Sequence, residues 1–210
     1  MKVLAIVQAR MGSSRLPGKM LLKIKKKTII EILLERLSKS KLIDKIIIAT
    51  STNLNNKILT SHIKNLKYDF YSGSEKDVLS RYIKLINIYR PKIVIRITGD
   101  CPLVDSKLVD KFIKIFQRNK FDYVSNTNPH TFPDGFDIEV IKPKALLKSF
   151  KADTSKLNKE HVTYFIKNSK KFSKYNIISK INRHSYRLTL DIKEDFSNIK
   201  KIFKYFNYNF

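Results

Sequence analysis

Three cations, two glycines and two serines are gathered into fourteen residues near the start of the chain, Val7 to Met20 (VQARMGSSRLPGKM). Gly12 and Gly18 let a backbone turn tightly and approach a ligand, Ser13 and Ser14 add hydroxyl donors, and Arg10, Arg15 and Lys19 supply positive charge. That chemistry suits a polyphosphate. The stretch is not a Walker A loop: five residues separate Gly12 from Gly18, and Met20 stands where the Mg²⁺-binding hydroxyl belongs. Pro17 has no N–H to offer, so side-chain cations must share the binding with backbone amides. The dinucleotide fingerprint G-x-G-x-x-G is also absent. Two carboxylates complete the set, Asp100 in RITGDCP and Asp191 in RLTLD, each just after an apolar run. A pair of carboxylates beside phosphate oxygens suits one or two Mg²⁺ ions, and the chemistry implied is transfer at a nucleotide phosphate. Each residue also has a plainer reading. Asp191 with Glu194 fits a helix capping box, Asp100 before Pro102 fits a turn, Arg10 and Arg15 fit surface ion pairs, and Lys19 fits a solvated side chain.

The elements that must position these groups alternate. Val3 to Val7 reads as a buried strand opening into the cationic loop. Thr28 caps a helix with Ile29, Ile32, Leu33 and Leu37 on one face. Lys45 to Thr50 is a β-branched strand, followed by a helix from about Asn55 to Lys64 and a strand near Tyr68 to Tyr71. A turn at Gly73 to Asp77 opens a helix through Leu79, Tyr82, Ile83 and Ile86. Ile93 to Ile97 is the next strand, and Asp105 caps a helix carrying Leu108, Val109, Phe112, Ile113 and Phe116. Strand and helix in this order predict an α/β domain with a mostly parallel sheet, in which ligands sit at the carboxyl ends of the strands. Beyond about residue 126 the pattern predicts an antiparallel excursion. It has strands ending at Asn126, at Phe136 to Ile141, near Tyr175 to Ser179 and at Tyr186 to Asp191. Helices are expected around Pro143 to Phe150 and Asn158 to Lys167, with a last one after Asp191. Neither a repeat nor a linker divides the chain, so one domain over residues 1–210 is expected.

Composition narrows the function. The net charge of +25 comes from nine Arg and 34 Lys, spread singly along the chain with no Trp. Such spread cations read as solvated faces rather than a nucleic-acid surface, so no nucleic-acid partner is expected. The densest cluster, Lys23, Lys25, Lys26 and Lys27, reads as an exposed turn before a helix. No apolar run reaches the ~18 residues of a membrane span, and the first residues hold the candidate site rather than a signal peptide. Neither membrane insertion nor export is expected, and the location expected is cytoplasmic. A single cysteine, Cys101, excludes an internal disulfide and reads as a small buried side chain. Pro133-Asp134-Gly135 reads as a turn. Asp137 and Glu139 share one face of their strand, either as its polar side or as substrate contacts, and His161 in KEHVT faces solvent, a substrate or a partner subunit.

Taken in order and spacing, QARMGSSRLPGKM, RITGDCPLVD, PDGFDIEV, KEHVT and RLTLDIKEDF resemble the SpsF-like cytidylyltransferases, relatives of the CMP-KDO and CMP-sialic acid synthetases. The resemblance runs from Val3 to about Phe203. It implies a single Rossmann-like nucleotidyltransferase domain, usually dimeric, that uses CTP and Mg²⁺ to convert an acidic sugar to its CMP derivative. Carried over, Arg10, Gly12, Ser13, Ser14, Arg15 and Lys19 match the triphosphate loop, with Lys19 and Arg10 in the catalytic role. Asp100 and Asp191 match the Mg²⁺ aspartates, and Ser74 and Arg81 in GSEKDVLSR match a nucleotide-side motif. Thr98 stands where CMP-KDO synthetases carry a Gln that helps read cytosine, which leaves the base, and another nucleoside triphosphate, open. A glycosyltransferase would present a D-x-D pair, whereas Asp100 is followed by Cys101-Pro102. A basic module for nucleic acid or other polyanions would leave both aspartates unexplained.

Overall fold

The computed structural model describes residues 2–208. Its strands are β1 (Val3–Gln8), β2 (Lys23–Ile24), β3 (Lys27–Thr28), β4 (Lys45–Ser51), β5 (Asp69–Gly73), β6 (Ile93–Thr98), β7 (Tyr123–Ser125), β8 (Glu139–Ile141) and β9 (Lys174–Asn176). Its α-helices are α1 (Ile29–Ser38), α2 (Lys57–Asn65), α3 (Val78–Tyr89), α4 (Ser106–Arg118), α5 (Pro143–Ala152), α6 (Lys156–His161), α7 (Tyr164–Asn168) and α8 (Lys193–Tyr205). Seven strands form one sheet in the order β5-β4-β1-β6-β8-β7-β9, and β2 pairs with β3 alone. All neighbours in the sheet are parallel except at β8, which runs against both β6 and β7. The antiparallel excursion is therefore one reversed strand.

Period-two alternation explains the layering. Val3, Ala5 and Val7 pack with α1, α2, α4 and α8, while Leu4 and Ile6 pack with α3, α5 and α7. Both faces of β1 are dry, so its sequence is continuously apolar rather than alternating. Caps set the helix starts. The Thr28 hydroxyl accepts the N–H of Glu31 while the Glu31 carboxylate accepts the N–H of Thr28, both at 3.3 Å. Asp105 accepts from the N–H of Leu108 at 2.7 Å.

The lysine-rich segment before α1 is an exposed turn as expected, closing a two-stranded hairpin, β2–β3, with Lys25 at φ 53°. Two expectations are corrected. The helix expected over Asn158 to Lys167 is two short helices, broken at Val162, whose φ of 59° and ψ of −52° no α-helix accommodates. Tyr186 to Asp191 is not a strand; one bridge, Asp134 to Arg187, is its contact in sheet geometry. The alternation of RLTLD is that of an extended strap, and a strap alternates for the same reason a strand does: one side faces the core.

Candidate active site

β1 and β6 lie side by side in parallel, with Gln8 opposite Thr98. The chain builds outward from β1 through β4 to β5, then returns across it to β6. That reversal opens a crevice at the carboxyl ends of β1 and β6. The two strands approach closely there: a Cβ on Gly99 would lie 2.8 Å from Met20 Sδ and 3.1 Å from the Gln8 carbonyl oxygen.

The cationic loop leaves β1 at this point. Its turn is closed on Met11, whose carbonyl accepts the N–H of Ser13 at 2.9 Å and of Gly18 at 3.1 Å. The Met11 N–H is held by Asn56 Oδ1 at 2.8 Å. Lys19 then starts a 3-10 turn and is buried. Its Nζ donates to the Leu190 carbonyl at 2.8 Å, to Asp191 Oδ1 at 2.9 Å and to Asp100 Oδ2 at 3.3 Å. One ammonium thus joins the loop to both carboxylates.

Asp191 arrives without a strand. The Leu190 N–H donates to the Asp100 carbonyl at 2.8 Å, and Thr189 Oγ1 donates to the same oxygen at 3.2 Å. The cap at α8 is served by Asp195, whose Oδ2 accepts the N–H groups of Asp191 and Ile192 at 2.8 and 3.0 Å. The Asp191 carboxylate is thereby released from capping and turns to Lys19 and to Arg15, 3.0 Å away. Burial works to raise the Asp191 carboxyl, but the Lys19 hydrogen bond and the charges of Lys19, Arg15 and Arg187 outweigh it and hold it below the ordinary value.

These groups line a cavity of about 390 Å³. Arg10, Ser13, Ser14, Arg15 and Lys19 border it from the loop, and Asp100 and Asp191 close one side. Arg81 borders it from α3 and is buried, with Nη1 on the Ala49 carbonyl at 3.1 Å. Arg96 and His161 border the side toward β8 and α6. Arg10 pairs with Glu75 at 3.6 Å. Ser74 and Gly12 stay outside the lining: Ser74 Oγ accepts the Asp77 N–H at 3.0 Å at the start of α3, and Gly12 lies against Glu75.

Glu139 is behind this wall rather than in it. Its carboxylate meets Arg96 at 2.8 Å, Lys167 at 2.7 Å, the Tyr123 hydroxyl at 2.7 Å and Thr163 Oγ1 at 3.1 Å. Burial works to raise it, but Arg96 and Lys167 hold it down at about 2. Through Arg96 it fixes one wall of the cavity, and through Thr163 the break that ends α6 at His161. Asp137 lies outside the cavity lining, 3.9 Å from His130, and burial raises its carboxyl. Cys101 is buried, and burial together with Asp100 pushes its thiol well up.

Among the described residues no group of three or more His, Cys, Asp or Glu could hold a metal ion. Mg²⁺ does not need one, because it binds through one or two carboxylates plus phosphate oxygens and water. Asp100 and Asp191, joined through one ammonium at the loop, fit that donor set. Gln8 and Arg96 in the lining, and Arg187 and Asp195 on Asp191, join the site beyond the residues expected from the sequence. A charged residue inside an otherwise apolar strand was a signal for Arg96, in IVIRIT. A strand-like run closing on two acidic residues gave no such signal for Asp195.

The cytidylyltransferase family matches residues 4–209 of the chain. The spore coat polysaccharide biosynthesis protein SpsF of Bacillus subtilis is 34% identical over 217 residues, covering 96% of this chain and 86% of its own. A cytidylyltransferase from Leptospira borgpetersenii superposes with a TM-score of 0.93 at 33% identity, covering 98% of this chain and 87% of that one. A CMP:2-keto-3-deoxy-manno-octonic acid synthetase solved in complex with CTP has the same fold, with a TM-score of 0.75 at 14% identity over 97% of this chain and 99% of that one.

Proposed function

The chain belongs to the cytidylyltransferase family and is a nucleotidyltransferase enzyme; from that premise we propose that it transfers CMP from CTP to a hydroxyl of an acidic sugar and releases pyrophosphate. The observation that carries this reading is the Lys19 ammonium shared between Asp100 and Asp191 at the mouth of β1 and β6. A site that only bound a polyanion would have no use for two carboxylates facing its cations.

In the proposed reaction the sugar hydroxyl attacks the α-phosphorus in line. The bond from that phosphorus to the bridging oxygen breaks, pyrophosphate leaves with the electron pair, and the hydroxyl proton passes to water. Arg10, Arg15 and the loop hydroxyls of Ser13 and Ser14 grip the triphosphate. Lys19 and Arg10 meet the charge that grows on the α-phosphate and the leaving group. Arg81, Arg96 and His161 all line the cavity; Arg81 is assigned to the nucleoside end and Arg96 and His161 to the acceptor end. When bound, Mg²⁺ would be held by Asp100 and Asp191 and would neutralise phosphate charge. Positioning and electrostatics suffice, with no covalent enzyme intermediate. The CMP-sugar is assigned to polysaccharide synthesis, in keeping with the name of the Bacillus subtilis relative.

A homodimer belongs to the same reading. It is supported by the exposed side chains of Tyr175, Ile178, Ile181 and Tyr186 in and after the outer strand β9, and sedimentation at assay concentration reads it.

Thr98 borders the cavity with its hydroxyl 3.2 Å from Cys101 Sγ, and the choice of cytosine belongs to the same proposal. Thermal shifts with CTP, UTP, ATP and GTP, each with Mg²⁺, test the nucleotide assignment. At about 100 times its dissociation constant a ligand adds about 2.7 kcal/mol. That corresponds to about 5–10 °C in a domain of this size. CTP should give the largest shift; no shift with any nucleotide, or one with purine nucleotides alone, contradicts the assignment.

A further inference from the structure

Arg187 occupies the junction of three acidic side chains. Its Nε and Nη2 grip Asp195 at 2.7 and 3.0 Å, Nη1 meets Asp134 at 3.1 Å, and Nη2 reaches Asp191 Oδ2 at 3.4 Å. Asp195 in turn holds the backbone N–H of Asp191, so the guanidinium touches Asp191 directly and also fixes the turn that carries it. Burial works to raise the Asp195 carboxyl, but Arg187 and the two backbone donors overcome it, and Asp195 stays below its ordinary value.

The strap from Tyr186 to Asp191 lies on the Pro133-Asp134-Gly135 turn. The Asp134 N–H donates to the Tyr186 carbonyl at 3.0 Å, and the Leu188 N–H donates to the Asp134 carbonyl at 2.8 Å. Gly135 sits at φ 101°, where a Cβ would come within 2.5 Å of the Leu188 backbone. The turn is therefore a seat for the strap, and Arg187 ties strap and seat together.

We propose that Arg187 is the positioning residue that keeps Asp191 aimed into the cavity while a nucleotide exchanges the other partners of that carboxylate. Asp191 has three cationic neighbours: Lys19, Arg15 and Arg187. Lys19 and Arg15 belong to the loop, and an incoming triphosphate competes for both. Arg187 cannot follow the phosphates, because Asp195 and Asp134 occupy its other nitrogens. It stays on Asp191 Oδ2 and leaves Oδ1 for whatever replaces Lys19. Arg187 touches neither nucleotide nor acceptor, and the inference rests on the proposed use of Asp191 toward Mg²⁺ and phosphate.

The test compares full-length wild type with Arg187→Gln, Arg187→Lys and Asp134→Asn. The first readout is the CTP-induced shift in melting temperature with Mg²⁺ and with EDTA; the second is the Mg²⁺ concentration for half-maximal pyrophosphate release. Arg187→Gln should keep the Mg²⁺-free shift, lose most of the added shift that Mg²⁺ gives, and need at least about tenfold more Mg²⁺, the loss seen when outer-shell partners of ligands are removed. Arg187→Lys keeps the charge but cannot bridge three carboxylates, and it should fall between the two. Asp134→Asn removes the most exposed of the three anchors, so it tests the clamp in a folded protein even where Arg187→Gln fails to fold, and it should shift Mg²⁺ dependence in the same direction. Wild-type Mg²⁺ dependence in Arg187→Gln, or in Asp134→Asn where the former does not fold, overturns the inference while leaving the functional reading intact. A wild-type protein with no response to nucleotide and Mg²⁺ overturns both.

Discussion

Replacing Lys19 with methionine keeps most of the side-chain volume and removes the ammonium that joins the loop to both carboxylates. The Lys19 side chain is 10% exposed, while Asp191 and Asp100 are 19% and 30% exposed. A hydrogen bond to a charged group contributes roughly 1.5–3 kcal/mol when fully buried. Here water reaches both carboxylates, and Arg15 and Arg187 remain on Asp191, so the net loss expected is about 1–2 kcal/mol, or about 2–8 °C in melting temperature. The pH dependence carries a sign. The Asp191 carboxyl lies below its ordinary value in the folded protein, so the stability it contributes is complete above the unfolded value of about 3.9 and is lost as pH falls through the lower folded value. Lys19→Met removes the largest influence opposing burial and moves that value up. The gap in stability between wild type and variant should narrow as pH falls from neutrality to about 3, read by urea denaturation at each pH. The effect on rate is larger than that on stability. Loss of a preorganised donor to the α-phosphate lowers kcat/KM by about 10²–10³-fold in a pyrophosphate-release assay with CTP, Mg²⁺ and acceptor. A variant within threefold of wild type, or a stability gap that does not change with pH, refutes the reasoning.

Two further outcomes follow from the buried groups. Glu139→Gln leaves Arg96 and Lys167 facing a neutral amide; with the carboxylate held at about 2 in the wild type, urea denaturation at neutral pH should show a loss of about 3 kcal/mol. That difference should shrink as pH falls from about 4 toward 2, because the wild-type contribution is lost there. Cys101 should resist a disulfide thiol reagent in the native protein at pH 8 and react completely in denaturant, since burial keeps it protonated and out of reach; rapid native labelling contradicts this.

The parts of the site that the sequence revealed are those made by local chemistry. The run from Val3 to Val7 followed by glycines and cations locates the loop, and a β-branched run stopping at Gly99-Asp100 before Pro102 locates the first carboxylate. Caps were equally local: Thr28 and Asp105 start helices where their neighbours demand it. Asp191 is expected at the end of a strand over Tyr186 to Asp191, and that segment is an extended strap rather than a strand. Asp191 meets Asp100 because Leu190 and Thr189 donate to a carbonyl about 90 residues earlier in the chain, a contact no local pattern encodes. The same holds for Glu139, whose partners Arg96 and Lys167 lie 43 residues before and 28 after it. Alternation marked it as one face of a strand without saying what covers that face. The break at Val162 is also tertiary: the Thr163 N–H turns back to the His161 carbonyl at 2.5 Å while its hydroxyl reaches Glu139. Apolar periodicity across Asn158 to Lys167 carries no trace of it.

The proposed joint action of Lys19, Asp100 and Asp191 in moving CMP from CTP to a sugar is checked by incubating the protein with CTP, Mg²⁺ and a panel of acidic sugars, nonulosonic acids among them, and detecting both pyrophosphate and a CMP-linked product by mass spectrometry. Stoichiometric pyrophosphate and CMP-sugar should form with at least one acceptor, and neither should form with EDTA or in Asp100→Ala and Asp191→Ala proteins that remain folded. Absence of any nucleotide-linked product across the panel, or unimpaired turnover in Asp191→Ala, contradicts it.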